Sequence, residues 1–171
     1  MTAIRHAKAG DLPAIVAIYN AAIPGGMATA DLEPVSVASR DAWFRGFSAQ
    51  RRPLWVASEG TPEGPDVPVA WLSLHSFYGR AAYDATVEVS VYCAPEYRRH
   101  GHSRALLRYA AGTAPALGLS TFVAYVFRHN LPSLALFESE GFAHWGLLPG
   151  VANLGGVRRD LVILGRRLGA E

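Results

Sequence analysis

Residues 86–107 have the sequence TVEVSVYCAPEYRRHGHSRALL, and the organisation of the chain follows from this stretch. Its first part alternates β-branched residues with the polar Glu88 and Ser90, which predicts a strand with one apolar and one polar face. Pro95 lacks a backbone donor and ends the strand, and after Gly101 the apolar residues recur at helical spacing. The stretch therefore predicts a strand, a basic turn that contains glycine, and a helix.

The basic turn is predicted to bind an anion. The first amides of a helix have no acceptor within the helix and lie at the positive end of its dipole, so they favour a phosphate group. A glycine in the turn would let that group approach the backbone closely. The alternative interpretation is that the glycine only eases the turn and the basic side chains form a solvated surface. The residues concerned are Arg98, Arg99, His100, Gly101, His102, Ser103 and Arg104.

The same turn resembles the pyrophosphate loop of the GNAT superfamily of acetyl-CoA-dependent N-acetyltransferases, which has the pattern Arg/Gln-x-x-Gly-x-Gly/Ala between a strand and a helix. Ser103 stands where the family usually has Gly or Ala, and His102 replaces an aliphatic residue. The resemblance covers nearly the whole chain and is strongest with the phosphinothricin acetyltransferase-like branch. It is carried by DLPAIVAIYNAAI, EPVSVASRDAWF, TVEVSVY with EYRRHGHSRALL, and HNLPSLALFESEGF.

This resemblance implies that acetyl-CoA is the co-substrate. In the family the central strand and the strand after its helix splay apart, which exposes backbone groups to the pantetheine arm. By resemblance, the backbone of Val91, Tyr92 and Cys93 would line that arm, and Arg98–Arg104 would surround the pyrophosphate. Asn130 begins a predicted helix as its cap, and the matching residue of relatives contacts the pantetheine arm, so both roles can coexist.

The composition narrows the class of protein. The chain has 171 residues, half of them hydrophobic, so we expect one GNAT domain over residues 1–171. No apolar run approaches the length of a membrane span and the first residues do not form a signal peptide, which predicts a cytoplasmic protein without a membrane partner. A net charge of +2 and dispersed arginine pairs predict no nucleic-acid partner. No metal site is expected, because Cys93 is the only cysteine and His100 and His102 have no third ligand nearby in the sequence.

The remaining periodicities predict the element order β-α-α-β-β-β-α-β-α-β-β. They include a first helix over Leu12–Ile23, a second over about Val37–Ser48, and a hairpin whose Gly- and Pro-rich turn spans Glu59–Pro68. The last two strands are predicted over Phe142–Leu147 and Arg159–Arg167. We therefore expect a mixed α/β fold of the GNAT type, a twisted and mostly antiparallel sheet of about seven strands with helices on both faces.

Glu88 is the candidate general base. An amine must lose a proton to attack a thioester, and a carboxylate near the cleft can accept it directly or through water. A lone glutamate among valines is costly without a role or a partner; the alternative is a salt-bridged or solvated surface residue. Many relatives protonate the leaving thiolate with the tyrosine of a Leu-Tyr-Glu sequence. This chain has Phe137 there, so either Tyr92, Tyr125 or water supplies the proton, or the leaving thiolate needs no acid.

Residues 76–83 interrupt the strand pattern and contain three aromatic residues and an arginine. One interpretation is an aromatic plug on the core; the other is a lid over the acceptor, in which Arg80 pairs with a carboxylate in a two-pronged contact. The phosphinothricin branch typically has Arg where this chain has Tyr78. The predicted substrate-binding residues are Phe77, Tyr78, Arg80 and Tyr83.

The resemblance implies transfer of an acetyl group to the primary amine of a small molecule, by direct attack within a ternary complex. The acceptor would be amino-acid-like, of the phosphinothricin or methionine sulfoximine type. The alternative functions are a non-catalytic acetyl-CoA-binding module, which Phe137 and Ser103 favour, and a nucleic-acid binder that uses the arginine pairs. Relatives of this branch are commonly dimers, so a homodimer is compatible with the sequence.

Overall fold

The structure is a computed structural model that describes residues 2–59 and 66–169. Its strands are Thr2–His6 (β1), Leu54–Glu59 (β2), Pro68–Ser76 (β3), Thr86–Cys93 (β4), Thr121–Phe127 (β5), Ala143–Leu154 (β6) and Val157–Arg167 (β7). Its helices are Leu12–Asn20 (α1), Asp41–Arg45 (α2), His102–Thr113 (α3) and Leu131–Ser139 (α4). None of the described helices is long and apolar enough to cross a membrane. Most of the turn predicted between β2 and β3 lies outside the described residues.

The strands form one sheet in the order β1-β2-β3-β4-β5-β7-β6. Neighbouring strands are antiparallel except for β4 and β5, which are parallel because α3 returns the chain to the same end of the sheet. The predicted hairpin is formed by β2 and β3, with Val56 opposite Trp71. The prediction of a mixed, mostly antiparallel sheet of seven strands is confirmed.

Helices cover both faces of the sheet, also as predicted. On one face Leu107 of α3 packs with Val87 and Val89 in the larger core cluster. On the other face Ile15 of α1 packs with Trp71 of β3. The alternation in residues 86–91 produces this arrangement, because the valines of β4 are buried under α3 while its polar residues face the side of α1.

Two predicted elements differ in extent. The second helix is shorter than predicted: a single turn over Ala38–Arg40 leads into α2, which ends at Gly46, a poor helix former. The last hairpin is longer, because β6 continues through Pro149 and Gly150 instead of turning there. A register shift between Leu148 and Ala152 absorbs the irregular residues, and Gly150 adopts a φ of 60° that suits a bulge.

The pairing between β4 and β5 ends early and opens a cleft. The two strands pair only from Thr86–Thr121 to Glu88–Val123. Beyond that point β4 continues with β3 as far as Cys93, and β5 continues with β7 as far as Phe127. The strands therefore splay apart directly after Glu88.

Candidate active site

The splayed part of β4 presents an edge of backbone to the cleft. Val91, Tyr92 and Cys93 pair with β3 on one side, while on the other side the ladder to β5 has already ended. Backbone groups on such an edge need partners, which an extended polar ligand can supply. Burial raises the pKa of the Cys93 thiol to about 11, which disfavours the thiolate that a nucleophilic role would need.

The turn before α3 contains two residues with a left-handed backbone. Gly101 has a φ of 87° and Arg99 a φ of 67°, and α3 begins at His102. No heavy atom lies within 4 Å of a Cβ built on Gly101. Glycine is therefore required by the left-handed φ and not by crowding, and the space beside it is open.

The side chains of this turn point in different directions. Arg98, Arg99 and His100 are exposed, whereas the His102 ring is 1% exposed and lies with Nδ1 3.1 Å from Thr2 Oγ1. Because the ring is buried, the His102 side chain is not available to a phosphate. Arg104 Nε lies 3.0 Å from Glu140 Oε1, a carboxylate that Arg108 also contacts. Fewer side chains are therefore available to an anion than the sequence suggests, because His102 is buried and Arg104 is paired with Glu140.

Replacing Gly101 with Ala is expected to weaken acetyl-CoA binding by about tenfold, because a side chain at positive φ costs about 1–2 kcal/mol and shifts the turn. Gly112→Ala is the matched control, since Gly112 lies in α3 with no atom within 4 Å of a Cβ built there. That substitution should leave binding unchanged and, if anything, stabilise the helix. Calorimetric titration of both variants measures the difference; equal Kd values would contradict the role of the turn.

A cavity of about 430 Å³ opens against β3 and β4 on the face of the sheet that α1 covers, opposite α3. Glu88 lines it from the polar face of β4, and burial raises the pKa of its carboxyl. Ser73 also lines it, with a buried Oγ that has no hydrogen-bond partner among the described residues. The full lining is Ile15, Val16, Tyr19, Val35, Arg40, Trp43, Trp71, Ser73, His75, Ser76, Glu88, Ser90 and Tyr92.

His75 stands beside Glu88 in this cavity. The two residues are partners in the β3–β4 ladder, so their side chains lie on the same face of the sheet. Trp43 Nε1–H donates to His75 Nε2 at 3.3 Å, which assigns the ring proton to Nδ1. Burial lowers the pKa of His75, so the ring is neutral at neutral pH. Sequence reasoning missed this residue, because the predicted strand ended before it, whereas β3 continues to Ser76.

Arg40 is the cationic side chain of the cavity wall. Its guanidinium lies 3.1 Å from Asp31 Oδ2 and stacks over the rings of Tyr19 and Trp43, 4.9 and 5.7 Å from their centroids. Tyr19 O–H also donates to Asp31, at 2.5 Å. The arginine is thus fixed in place by aromatic packing. It falls within the predicted second helix, but nothing in the sequence marked it as a residue of the cavity.

The predicted lid forms a cluster at the surface. The rings of Phe77, Tyr78 and Tyr83 lie 5.3 to 5.7 Å apart, and Tyr78 is 66% exposed. Neither these residues nor the exposed Arg80 belong to the cavity lining. Burial and the charges of Glu88 and Tyr78 raise the pKa of Tyr125, which places Tyr125 within electrostatic reach of both the cavity and the cluster.

Asn130 ties two parts of the site together. Its Oδ1 accepts from Ser133 N–H at 3.2 Å, which confirms the predicted cap of α4, and its Nδ2 donates to the Met27 carbonyl at 2.8 Å. Tyr92 O–H donates to the next carbonyl, that of Ala28, at 3.2 Å. The segment after α1 is therefore held against β4 and the start of α4, beside the cleft.

Residues 14–142 match the family described as "Acetyltransferase (GNAT) family". This chain belongs to the GNAT acetyltransferases. It is an N-acetyltransferase that uses acetyl-CoA as its co-substrate.

Relatives of this GNAT acetyltransferase cover nearly its full length. It is 48% identical to the Bacillus subtilis protein named "Putative phosphinothricin acetyltransferase YwnH" over 96% of this chain and 98% of that protein. It is 34% identical to the L-methionine sulfoximine/L-methionine sulfone acetyltransferase of Pseudomonas aeruginosa over 94% and 91%. The crystal structure of a phosphinothricin acetyltransferase from Sinorhizobium meliloti in complex with AcCoA superposes with a TM-score of 0.89, at 30% identity over 98% of this chain and 89% of that one.

The structure of this GNAT acetyltransferase distinguishes the tyrosines considered as proton donors to the leaving thiolate. Phe137 is buried against Phe142 and has no proton to give. The Tyr92 hydroxyl is engaged with the Ala28 carbonyl, and burial raises its pKa. Tyr125 is 37% exposed on β5 and has no such partner among the described residues, although burial raises its pKa as well. The free hydroxyl is therefore the feature that distinguishes Tyr125 from Tyr92.

Proposed function

We propose that this acetyltransferase transfers the acetyl group of acetyl-CoA to the primary amine of a small, amino-acid-like acceptor, with Glu88 as general base. The observation that carries the proposal is the position of Glu88: it lines the cavity at the residue where β4 and β5 separate. The names of the relatives, which act on phosphinothricin or methionine sulfoximine, support an acceptor with an amine and an acidic group.

The cofactor would lie along the opening between β4 and β5. In this arrangement the backbone of Val91–Cys93 hydrogen-bonds the pantetheine arm, and the amides of residues 99–104 surround the pyrophosphate at the start of α3. Asn130 retains one amide hydrogen and one lone pair beyond its two observed bonds, which suffices for a further contact.

The acceptor would occupy the 430 Å³ cavity. Its amine lies near Glu88 and its carboxylate near Arg40, whose fork geometry suits a carboxylate. A polar atom of the acceptor can satisfy the buried Ser73 Oγ. Phe77, Tyr78, Arg80 and Tyr83 then border the cavity mouth as an outer surface, not as its wall.

The reaction follows from this placement. Glu88 accepts the proton of the ammonium group, directly or through water, and the free amine attacks the thioester carbon. The C–N bond forms to give a tetrahedral adduct, and backbone amides near Val91 stabilise its negatively charged oxygen, a contribution of about 3 kcal/mol. As the C–S bond breaks, the nitrogen gives its second proton to Tyr125 or water and becomes the amide nitrogen. Tyr125 or water returns a proton to the thiolate. His75 lies beside Glu88 and, being neutral, adds no charge next to the carboxylate.

The proposal is tested by following thiol release from acetyl-CoA with a panel of amino acids, methionine sulfoximine, phosphinothricin, polyamines and peptide amines, beside calorimetric titration of acetyl-CoA alone. We expect turnover with the amino-acid-like members. Turnover with polyamines or peptides alone would contradict the acceptor class. Tight acetyl-CoA binding without turnover would support the non-catalytic binding module instead, although family membership favours the enzyme.

Location and assembly remain predictions from the sequence: a cytoplasmic protein, without nucleic-acid or membrane partner, that is compatible with a homodimer. The β6–β7 hairpin exposes several large apolar side chains, which supports a dimer through this face. These are Trp145, Leu147, Leu148, Val151 and Val157. Sedimentation velocity should show a dimer that Leu147→Glu dissociates; a monomer at all concentrations would contradict it.

A further inference from the structure

A second group of polar side chains lies apart from the cavity, where the end of β2 meets the start of α3. Glu59 is the last residue of β2, and His100 and His102 flank Gly101. One donor atom from each of the three residues lies within 4.8 Å of the other two. Glu59 is far from the two histidines in the sequence, and it lies near them because the sheet order brings β1 and β2 beside α3.

The geometry of His102 is the most informative part of this group. Its ring is 1% exposed, and Nδ1 lies 3.1 Å from Thr2 Oγ1, which fixes the ring orientation. Nε2 lies 2.8 Å from Glu59 Oε1, yet this nitrogen has no hydrogen-bond partner in proper geometry among the described residues. The carboxylate oxygen is thus close to the nitrogen but off the line along which a ring N–H would donate.

Two ligands of one metal ion need not point at each other, because each donor points at the ion. Two atoms about 2.1 Å from a tetrahedral ion are about 3.4 Å apart, so the 2.8 Å between His102 Nε2 and Glu59 Oε1 has to widen by about 0.6 Å, which rotation of the 42%-exposed Glu59 side chain permits. A ring nitrogen that is buried and oriented by an outer contact, here with Thr2, is typical of metal-ligating histidines. The exposed His100 side chain can rotate to shorten the longest of the three separations.

From these observations we infer that Glu59, His100 and His102 bind one divalent transition-metal ion. Two imidazoles and one carboxylate suit Zn²⁺, Co²⁺ or Ni²⁺ better than Mg²⁺ or Ca²⁺, which prefer oxygen ligands only. The ion would fasten the end of β2 to the first turn of α3. His100 and His102 also belong to the turn proposed to surround the pyrophosphate, but the titration with metal uses neither acetyl-CoA nor an acceptor, so its outcome is separate from that of the proposed function.

The chain contains a matched control. His144 Nε2 and Glu138 Oε1 are 2.7 Å apart, the same pair of residue types at nearly the same distance, but both are exposed and no third ligand joins them among the described residues. If Glu59 and His102 formed only an imidazole–carboxylate pair, they should respond to metal ions as Glu138 and His144 do. A metal site requires His100 in addition.

The experiment is a titration of the full chain, without a polyhistidine tag, with Co²⁺, whose visible spectrum reports nitrogen and oxygen ligation, followed by displacement with Zn²⁺. We expect one Co²⁺ per chain, at least tenfold weaker binding in Glu59→Gln and in His100→Gln, and unchanged binding in Glu138→Gln. Zn²⁺ should raise the thermal midpoint of the wild type and of Glu138→Gln but not that of Glu59→Gln. Absence of a visible spectrum, or equal binding by all variants, would overturn the inference.

Discussion

Glu88→Gln is expected to lower kcat by about 10²–10⁴-fold while the Kd for acetyl-CoA stays unchanged, because general-base catalysis contributes about that much and the side chain lies in the acceptor cavity. Glutamine keeps the size and the hydrogen-bonding capacity of the side chain but cannot accept the proton. Steady-state kinetics with the best acceptor of the panel, together with calorimetry of the cofactor, measure the two quantities. A loss of cofactor binding equal to the loss of rate would argue for a structural role.

The pH dependence gives a second readout of the same substitution. Glu88 acts only when ionised, so kcat/KM should rise with pH through the pKa of its carboxyl. Burial raises that pKa, so the rise is expected above the pH at which an exposed glutamate titrates. The limb due to Glu88 should be absent from the profile of Glu88→Gln, in which only ionisation of the acceptor amine remains. An identical acid limb in both proteins would show that another group is the base.

Stability separates loss of the base from loss of the fold. Because burial raises the folded-state pKa of Glu88, the ionised side chain lowers the free energy of unfolding above that pKa, and this cost is absent at lower pH. Glu88→Gln should therefore unfold at the same or a higher temperature at neutral pH. Glu138→Gln, at an exposed position on α4, is the control that should change neither rate nor stability.

The central strand, its turn and its helix were predictable because each is specified locally. The alternation around Glu88 fixes which residues face α3, and Gly101 marks the turn, since a φ of 87° is readily available only to glycine. The same alternation of apolar and polar residues predicted which face of β4 is polar. The features that the sequence predicted well are thus those that a few neighbouring residues determine.

Other parts of the site depend on contacts between distant segments. His102 belongs to the turn by sequence, but its ring is buried because Thr2 and Glu59, from strands at the edge of the sheet, lie beneath it. His75 lies beside Glu88 through strand register, and Arg40 lines the cavity because its helical segment packs against β3. A single sequence carries no signal for these juxtapositions.

Arg40→Gln is expected to raise KM for a carboxylate-bearing acceptor by about 10–100-fold with a much smaller change in kcat. A hydrogen bond between charged groups contributes about 1.5–3 kcal/mol, and the guanidinium of Arg40 is the cationic group that lines the cavity. Arg45→Gln is the control, because Arg45 is 76% exposed and pairs with Asp41 on the surface of α2. Initial rates across a range of acceptor concentrations measure the effect.

The acceptor itself distinguishes recognition of the carboxylate from loss of packing. Arg40 stacks on Tyr19 and Trp43, so its replacement could also loosen the cavity wall. With an amine that has the same side chain but no carboxylate, wild type and Arg40→Gln should have equal KM values if recognition is the cause. Arg80→Gln, tested in parallel, decides between the two arginines. If Arg80→Gln alone raises KM for the carboxylate-bearing acceptor, residues 76–83 close over the cavity as a lid and the role assigned to Arg40 is wrong.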